Sequence, residues 1–220
     1  MKVSIQGIKG SFHHMVAAEY FSSFELNECS TFDKLVKSVI NEDSDYGVMA
    51  IENSIAGSIL PNYALIDEYS LSITGEYSLS IDHNLMCLSG QSINDISEVH
   101  SHPMALLQCT KFFTKYPNIK LIESEDTALF AKKISENQIY GVGAIASKEA
   151  AEIYDLEILN SSIQTIKNNM TRFVIVEKNK KNISNFNKAA LKFILDHKRG
   201  SLASILNMMS DCKLNLTKIQ

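Results

Sequence analysis

Residues 46–54 read YGVMAIENS, an almost uninterrupted apolar run that ends in three polar residues. The run Tyr46–Ile51 predicts a strand buried on both faces, which is typical of the sheet in an α/β protein. Glu52, Asn53 and Ser54 follow directly, at the edge where open α/β sheets bind their ligands. Their side chains could hydrogen-bond a ligand or, equally well, the backbone of their own turn. The stretch therefore predicts the α/β fold class and a first candidate site.

Predicted strands and helices alternate on both sides of this stretch, as in an α/β domain. Further strands are expected at 2–6, within 70–87, up to Val99, at 119–122, at 139–146 and at 170–176. Helices are expected from Phe12 with an apolar stripe that reaches Phe24, near 32–40, after Pro61, from Pro103 to near Lys115, from Asp126 or Thr127 to Ile134, and from Ser147 to Tyr154.

The last part of the chain has a different character. A polar stretch rich in lysine and asparagine at 179–187 predicts a linker. Beyond it, strands at 190–197 and 214–219 are expected to flank a helix at 201–212. A β-α-β fragment of this size is too small to bury a core alone.

Composition excludes several classes of protein. The 220 residues include 21 Lys+Arg and 25 Asp+Glu, for a net charge of −4, which disfavours a general nucleic-acid binder. No apolar run approaches the ~20 residues of a membrane helix, and the N-terminus has no apolar signal core, so we expect a cytoplasmic protein without a membrane partner. Four scattered cysteines predict reduced thiols. His100 and His102 could face the same way on a strand, but without a third ligand nearby we expect no metal site.

Three further polar clusters lie where a predicted strand ends. At Gly7–Ser11, two glycines and a helix start could hold an anion or form a tight turn capped by Ser11. At 101–103, His102 could bind an anion, act as an acid or base, or cap a helix.

The third of these clusters is NNMTRF at 168–173. Strand alternation places Thr171 and Phe173 on one face and Arg172 on the other. Arg172 and Arg199 are the two arginines among the 21 cationic residues. An arginine offers a planar fork for a carboxylate, although Arg172 could also form an ordinary surface ion pair. The motifs include no nucleotide loop and no nucleophile elbow, so an enzyme of this kind is expected to need no metal, nucleotide or covalent cofactor.

In their order and spacing these clusters resemble the prephenate dehydratase family. The resemblance rests on the opening Gly7–Phe12, GVMAIENSIAGSI at 47–59, VHSHPMALLQC at 99–109, AIASKEAAEIYDLEIL at 144–159 and NNMTRFVIV at 168–176. The tail at 188–220 resembles the start of an ACT domain, a regulatory module of ferredoxin-like α+β fold. Family members usually continue further, so we expect an incomplete ACT domain at 188–220.

The resemblance implies a catalytic domain at 1–178 with two α/β lobes, similar to a type II periplasmic binding protein. Lobe 1 would take about 1–75 and 160–178, and lobe 2 about 76–159. The cleft between them would collect all four clusters.

The resemblance also implies a reaction, in which prephenate loses CO2 and its hydroxyl to give phenylpyruvate and water, a step of phenylalanine biosynthesis. Thr171 is expected to donate to the leaving hydroxyl, with Arg172 and Phe173 beside it in the catalytic motif. Arg172 could grip a carboxylate or lock the wall of the cleft. The expected substrate contacts are Ser11, Asn53, Ser54, Ser101, His102, Thr127 and Asn169.

Phenylalanine is the effector that the tail implies. Arg199, Gly200, Ser201, Leu202 and Asn215 are the expected contacts, and an incomplete module predicts weak or no inhibition. A homodimer or homotetramer is expected. Two alternatives stay open, namely an arogenate dehydratase and a non-catalytic protein that binds a small anion or an amino acid.

Overall fold

The computed structural model describes residues 1–179 and 186–219. Contacts along the chain divide it into two units, Met1–Ile183 and Ser184–Gln220. The first unit holds two sheets with helices on both faces, and this confirms the predicted two-lobed α/β architecture.

The sheet of lobe 1 forms around the apolar strand that opened the sequence analysis. Its strand order is β2 (Glu25–Cys29), β1 (Lys2–Gln6), β3 (Tyr46–Asn53), β11 (Met170–Glu177) and β5 (Ser72–Ser80), with the short β4 (Gly57–Ser58) beside β3. The strands β1, β2 and β3 are parallel, whereas β11 is antiparallel to both of its neighbours. One face packs on α1 (Phe12–Tyr20), and the other face packs on α2 (Phe32–Ile40) and α3 (Leu60–Glu68).

Lobe 2 repeats this layered arrangement with shorter strands. Its strand order is β10 (Glu157–Asn160), β6 (Asn84–Cys87), β9 (Val142–Ala146), β7 (Glu98–Ser101) and β8 (Lys120–Glu123). The helix α4 (Pro103–Phe113) covers one face, and α5 (Thr127–Asn137) and α6 (Lys148–Ile153) cover the other. Both faces of the sheet are therefore buried, as the apolar runs predict.

The chain crosses between the lobes twice, and the two crossing segments are bonded to each other. The backbone N–H of His83 donates to Oε1 of Gln164 at 3.0 Å, and the N–H of Ile81 donates to the carbonyl of Asn169 at 2.7 Å. The expected lobe boundary near residue 75 falls inside β5, because β5 pairs with β11 as far as Ser80. The first crossing therefore lies after Ser80.

One local prediction needs correction, and two strands lie where none was predicted. The first helix ends at Tyr20, and Phe21 and Phe24 reach the core from the segment that follows it. The strands β2 and β10 were not expected, since Glu25–Cys29 and Glu157–Asn160 mix polar and apolar residues at the edges of their sheets. Edge strands of this kind carry a weak apolar signal because only part of each strand is buried.

In the second unit, α7 (Ser201–Asp211) forms as predicted. The predicted strands at 190–197 and 214–219 do not form within the described residues. Leu191, Phe193 and Leu195, the expected buried face, are exposed. A strand needs a neighbouring strand to pair its backbone, and alternation along one segment does not supply it. The predicted linker falls largely on 180–185, outside the described residues.

Among the residues that the structure describes, none of the helices combines the length and the apolar character needed to cross a membrane.

We expect His13 to make the fold sensitive to acid. Its Nε2 accepts from the backbone N–H of Ala50 at 3.4 Å, and its ring lies edge-on to Phe32 and Phe173. Burial lowers the pKa of His13 to about 3, from a normal 6.5. Below pH 6.5 His13 is protonated in the unfolded chain but stays neutral in the folded chain. The free energy of unfolding therefore falls as the pH falls. Between pH 7.5 and pH 5 this residue should remove about 2 kcal/mol from the free energy of unfolding.

Urea denaturation of the wild type and of His13→Gln at both pH values measures this contribution. The glutamine carbonyl can accept from Ala50 and does not titrate, so the variant should lose less stability on acidification. An equal loss in both proteins would contradict the assignment.

Candidate functional site

The amide of Asn53 is held in one orientation by the backbone. Its Oδ1 accepts from the N–H groups of Ile55 at 3.0 Å and Ala56 at 2.9 Å. Since a backbone N–H can only donate, this atom must be the oxygen, and Nδ2 must point the other way. There Nδ2 donates to Oδ1 of Asn169 at 2.7 Å and to Oγ1 of Thr171 at 2.9 Å.

A β-bulge brings Asn53 to the face of Thr171. Along the β3–β11 pair, Thr171 lies opposite Asn53 and Arg172 opposite Glu52, but Phe173 lies opposite Ala50. Ile51 is the extra residue, so the alternation of β3 shifts by one beyond it. Without this shift Asn53 would point to the opposite face of the sheet from Thr171.

Thr171 is 8% exposed at the end of β11. Its Oγ1 accepts from Asn53, and within residues 1–179 and 186–219 no acceptor for its own O–H is found. A hydroxyl has one hydrogen to donate. The hydrogen of Thr171 is therefore available to a ligand at the edge of the sheet.

Asn169 extends the network into lobe 2. The residue is 0% exposed, and its Nδ2 donates to Oε1 of Gln108 on α4 at 2.9 Å. The same Oε1 lies 3.0 Å from Nε2 of His83. Ser54 secures the segment before Thr171, because its Oγ accepts from the N–H of Met170 at 2.9 Å. Of the expected site residues, the structure therefore brings together Asn53, Ser54, Asn169 and Thr171.

The glycine loop at Gly7–Ser11 contacts lobe 2. The carbonyl of Gly10 accepts from Oγ of Ser147 at 2.7 Å, and the carbonyl of Lys9 accepts from the hydroxyl of Tyr154 at 2.6 Å. Ser11 is 2% exposed and caps α1 by accepting from the N–H of His14. Its hydroxyl serves the turn, one of the two readings that the sequence left open.

The expected lobe 2 residues lie at the starts of helices or in the core. Ser101 is buried and donates to the carbonyl of Ile145 at 2.6 Å. His102 is exposed and caps α4, since its Nδ1 accepts from the N–H of Met104 at 3.2 Å. An open pocket of about 690 Å³ lies beside His102, with Phe130 in its wall. Thr127 is half-buried at the start of α5.

Asp126 caps α5 and lies against the glycine loop. Its Oδ1 accepts from the N–H groups of Ala128 and Leu129. Burial raises the pKa of this carboxyl above its normal value. Its Oδ2 would lie 2.8 Å from a Cβ at Gly7, whose φ is +97°. Position 7 therefore requires glycine for two reasons, the positive φ of the backbone and the close approach of Asp126.

Arg172 lies on the face of β11 opposite Thr171. Its guanidinium is 3.4 Å from Oε2 of Glu52 and 3.4 Å from Oε2 of Glu76, and it donates to the hydroxyl of Tyr63 at 3.3 Å. Phe173 is 1% exposed in the core of lobe 1. The bulge at Ile51 does not turn Arg172 toward Thr171. Of the three residues of the expected catalytic motif, Thr171 alone therefore belongs to the hydrogen-bond network of Asn53 in the described structure.

Sequence reasoning missed two members of the network, His83 and Gln108. Gln108 stands within the stretch VHSHPMALLQC but was not singled out, and His83 is an isolated histidine between two strands. Their roles depend on contacts with residues 25 to 61 positions away. The local spacing of residues in the sequence does not predict such contacts.

In the second unit, four of the expected effector residues, Arg199–Leu202, lie at the start of α7, and Asn215 follows the end of this helix. Gly200 has φ +85°, and Ser201 donates to the carbonyl of Asp196 at 2.8 Å. Arg199, Leu202 and Asn215 are exposed. Across residues 1–179 and 186–219, no three His, Cys, Asp or Glu side chains group as a metal site would require.

Comparisons with known proteins identify the family to which the chain is similar. The family model described as prephenate dehydratase matches residues 3–181. A bifunctional chorismate mutase/prephenate dehydratase of Buchnera aphidicola (subsp. Acyrthosiphon pisum) is 36% identical over 98% of this chain and 58% of its own length. Arogenate dehydratase 2 of Petunia hybrida is 35% identical over 100% of this chain and 56% of its own length. The chain thus spans little more than half the length of these curated relatives.

Among solved structures, the prephenate dehydratase of Staphylococcus aureus superposes with a TM-score of 0.76 at 26% identity. The alignment covers 100% of this chain and 84% of that one.

Replacing Gly7 by alanine should disturb the contact between the lobes. The new Cβ would push Oδ2 of Asp126 and break the cap of α5, in addition to the strain at positive φ. Gly57→Ala is the matched control, because Gly57 has φ +86° but no atom within 4 Å of an added Cβ.

Both variants should lose about 1–2 kcal/mol from backbone strain. Gly7→Ala should lose about 1 kcal/mol more from the cap, as measured by urea denaturation. Equal losses would mean that Asp126 moves away without cost.

Proposed function

The chain belongs to the prephenate dehydratase family, and we propose that it converts prephenate to phenylpyruvate, CO2 and water. In this elimination the electron pair of the C–C bond to the ring carboxylate moves into the ring as CO2 leaves. The C–O bond to the 4-hydroxyl breaks at the same time, and the ring becomes aromatic. The leaving hydroxide takes up a proton and departs as water.

One observation carries the proposal, namely the orientation of the Thr171 hydroxyl. Because Nδ2 of Asn53 donates to Oγ1, the hydrogen of Thr171 points away from Asn53 and is left for an acceptor on the substrate, for which we propose the leaving hydroxyl. A donor aimed at a site where negative charge develops lowers the barrier, and fixing it in advance avoids reorganisation during the reaction. Threonine is a weak acid, so its role is to position and stabilise the departing oxygen.

The substrate is a dianion, and the helix starts facing the lobe boundary favour its carboxylates. His102 and Thr127 mark the first turns of α4 and α5, where the positive ends of the helix dipoles attract anions. Asp126 lies beside this region, and burial raises the pKa of its carboxyl above the normal value. Ser101 donates its hydrogen to a carbonyl, so we assign it to the wall of the site. Ser11 only accepts in its helix cap, so it stays a proposed substrate contact.

Replacing Thr171 tests the proposal directly. Thr171→Val keeps the shape of the side chain and removes the donor, so kcat should fall about 10²–10³-fold. Thr171→Ser keeps the donor and should retain most of the activity. The assay follows phenylpyruvate formation from prephenate. A valine variant as active as the wild type would overturn the role of Thr171.

Arogenate is the second candidate substrate, because a relative 35% identical to this chain is an arogenate dehydratase. The same elimination on arogenate yields phenylalanine. Parallel assays of both substrates give the two kcat/KM values, and the larger one identifies the preferred substrate. Binding of either compound without conversion would favour the non-catalytic alternative.

We assign Arg172 to positioning. Its two carboxylates and Tyr63 join β3, β5 and α3 behind the strand that carries Thr171. Arg172→Lys should lower the free energy of unfolding by about 1–3 kcal/mol, because a single ammonium cannot span three partners.

The substitution should lower kcat while KM stays near the wild-type value. A large rise in KM with unchanged kcat would instead indicate contact with a substrate carboxylate. Lys148→Ala, which removes an exposed pair with Glu152, is the control and should change stability by less than about 0.5 kcal/mol.

Assembly, regulation and location are further parts of the proposal. Exposed Leu191, Phe193 and Leu195 favour a homodimer or homotetramer. Light scattering tests this assembly, and a monomer at high protein concentration would contradict it.

Phenylalanine is the proposed effector at Arg199–Leu202 and Asn215, and inhibition assays with phenylalanine test this proposal. Three of the four cysteines are buried and unpaired, and burial raises the pKa of Cys109 to about 12, as in an inert thiol of a cytoplasmic protein.

A further inference from the structure

His83 lies in the first crossing between the lobes and is fixed by its backbone. Its N–H donates to Oε1 of Gln164, and its carbonyl accepts from the N–H of Ile163 at 2.8 Å. The ring is 4% exposed and lies edge-on to Phe12, with the ring centres 5.7 Å apart. The residue is thus a buried imidazole attached to both crossing segments, and the proposed chemistry does not use it.

The hydrogen-bond network determines which ring nitrogen of His83 carries the hydrogen. The backbone N–H groups of Ile55 and Ala56 fix Oδ1 of Asn53 as an acceptor. Nδ2 of Asn53 then requires Oδ1 of Asn169 as its acceptor, and Nδ2 of Asn169 requires Oε1 of Gln108. Facing this oxygen, Nε2 of His83 must donate.

The other ring nitrogen has no role within the network. Nδ1 of His83 is buried without a hydrogen-bond partner among the residues that the structure describes. Burial also lowers the pKa of His83, which keeps the ring neutral. A neutral ring with its hydrogen on Nε2 satisfies Gln108 and leaves a bare lone pair at Nδ1.

We propose that His83, through its Nε2–H, is a positioning residue for Thr171. His83 and Asn169 together occupy both lone pairs of the Gln108 oxygen, which prevents this amide from turning over. A turned amide would present hydrogens to Nδ2 of Asn169, break that bond and release Asn169, the side chain that shares Nδ2 of Asn53 with Thr171. His83 thereby connects the position of α4 in lobe 2 to the catalytic hydroxyl in lobe 1, without touching substrate. The inference rests on the proposed function for its kinetic consequence only.

Replacing His83 by glutamine or by asparagine distinguishes the role of Nε2 from that of Nδ1. In His83→Gln the amide nitrogen can lie near the position of Nε2, whereas in His83→Asn it lies near Nδ1 and cannot reach Gln108. We expect His83→Asn to lower kcat about tenfold, the loss of one neutral hydrogen bond, with KM changed little. His83→Gln should recover most of the activity. A purely structural role would make both variants equally impaired or shift KM and kcat alike.

The matched control is His100→Gln. His100 is a partly buried histidine of β7 in lobe 2. Its ring stacks on Phe130 and lies near Glu98, and among residues 1–179 and 186–219 it makes no hydrogen bond to the network. Its replacement should leave kcat unchanged, and thermal unfolding of all three variants separates loss of stability from loss of catalysis. An active wild type with equal kcat in His83→Asn would overturn the inference.

Nuclear magnetic resonance provides a readout that does not depend on activity. The imidazole nitrogens of His83 should show the neutral form with hydrogen on Nε2, and the side-chain amides of Asn53 and Asn169 should shift in His83→Asn and return in His83→Gln. Hydrogen on Nδ1, or unshifted amides, would overturn the inference even in an active enzyme. A wild type that converts neither substrate but shows these signals would overturn only the proposed function.

Discussion

Two backbone N–H groups, those of Ile55 and Ala56, determine the polarity of the whole candidate site. They hold the oxygen of the Asn53 amide, so its nitrogen must serve Thr171 and Asn169. An amide alone could turn over at little cost, because its oxygen and nitrogen have nearly the same shape. The Asn53 amide has one orientation because the backbone N–H groups of Ile55 and Ala56 can only donate hydrogen bonds. Every later donor and acceptor, as far as His83, follows from that choice.

The fixed orientation of the Asn53 amide extends to lobe 2 because the hydrogen-bond network contains residues of both lobes. Asn53 and Thr171 lie at the ends of two paired strands in lobe 1, whereas Gln108 lies on a helix of lobe 2. Asn169, in the second crossing, is the side chain that joins them. The buried bonds lie in a region of low dielectric, where a satisfied network is stable and a broken one is costly. The position of Asn169 beside Asn53 therefore depends on how lobe 2 lies against lobe 1, whereas the direction of the Asn53 amide does not.

Strand β11 separates two tasks by its alternation. One face presents Thr171 and packs Phe173 into the core, and the other face carries Arg172 between two carboxylates. Placing the guanidinium behind the sheet keeps its charge away from the hydroxyl while it holds neighbouring strands together. The bulge at Ile51 determines which residue of β3 lies on each face, so that Glu52 lies beside Arg172 and Asn53 lies beside Thr171.

The sequence by itself determined the apolar strands β1, β3 and β11, the amphipathic α2, and the opposite directions of Thr171 and Arg172, because each follows from local periodicity. Tertiary structure decided what periodicity does not encode. The bulge at Ile51 depends on pairing with β11, the edge strands β2 and β10 depend on their neighbours, and the apolar alternation at 190–197 forms no strand in the described structure. His83 and Gln108 acquire their roles from partners distant in the chain, since a hydrogen bond depends on distance in space and not on spacing in sequence.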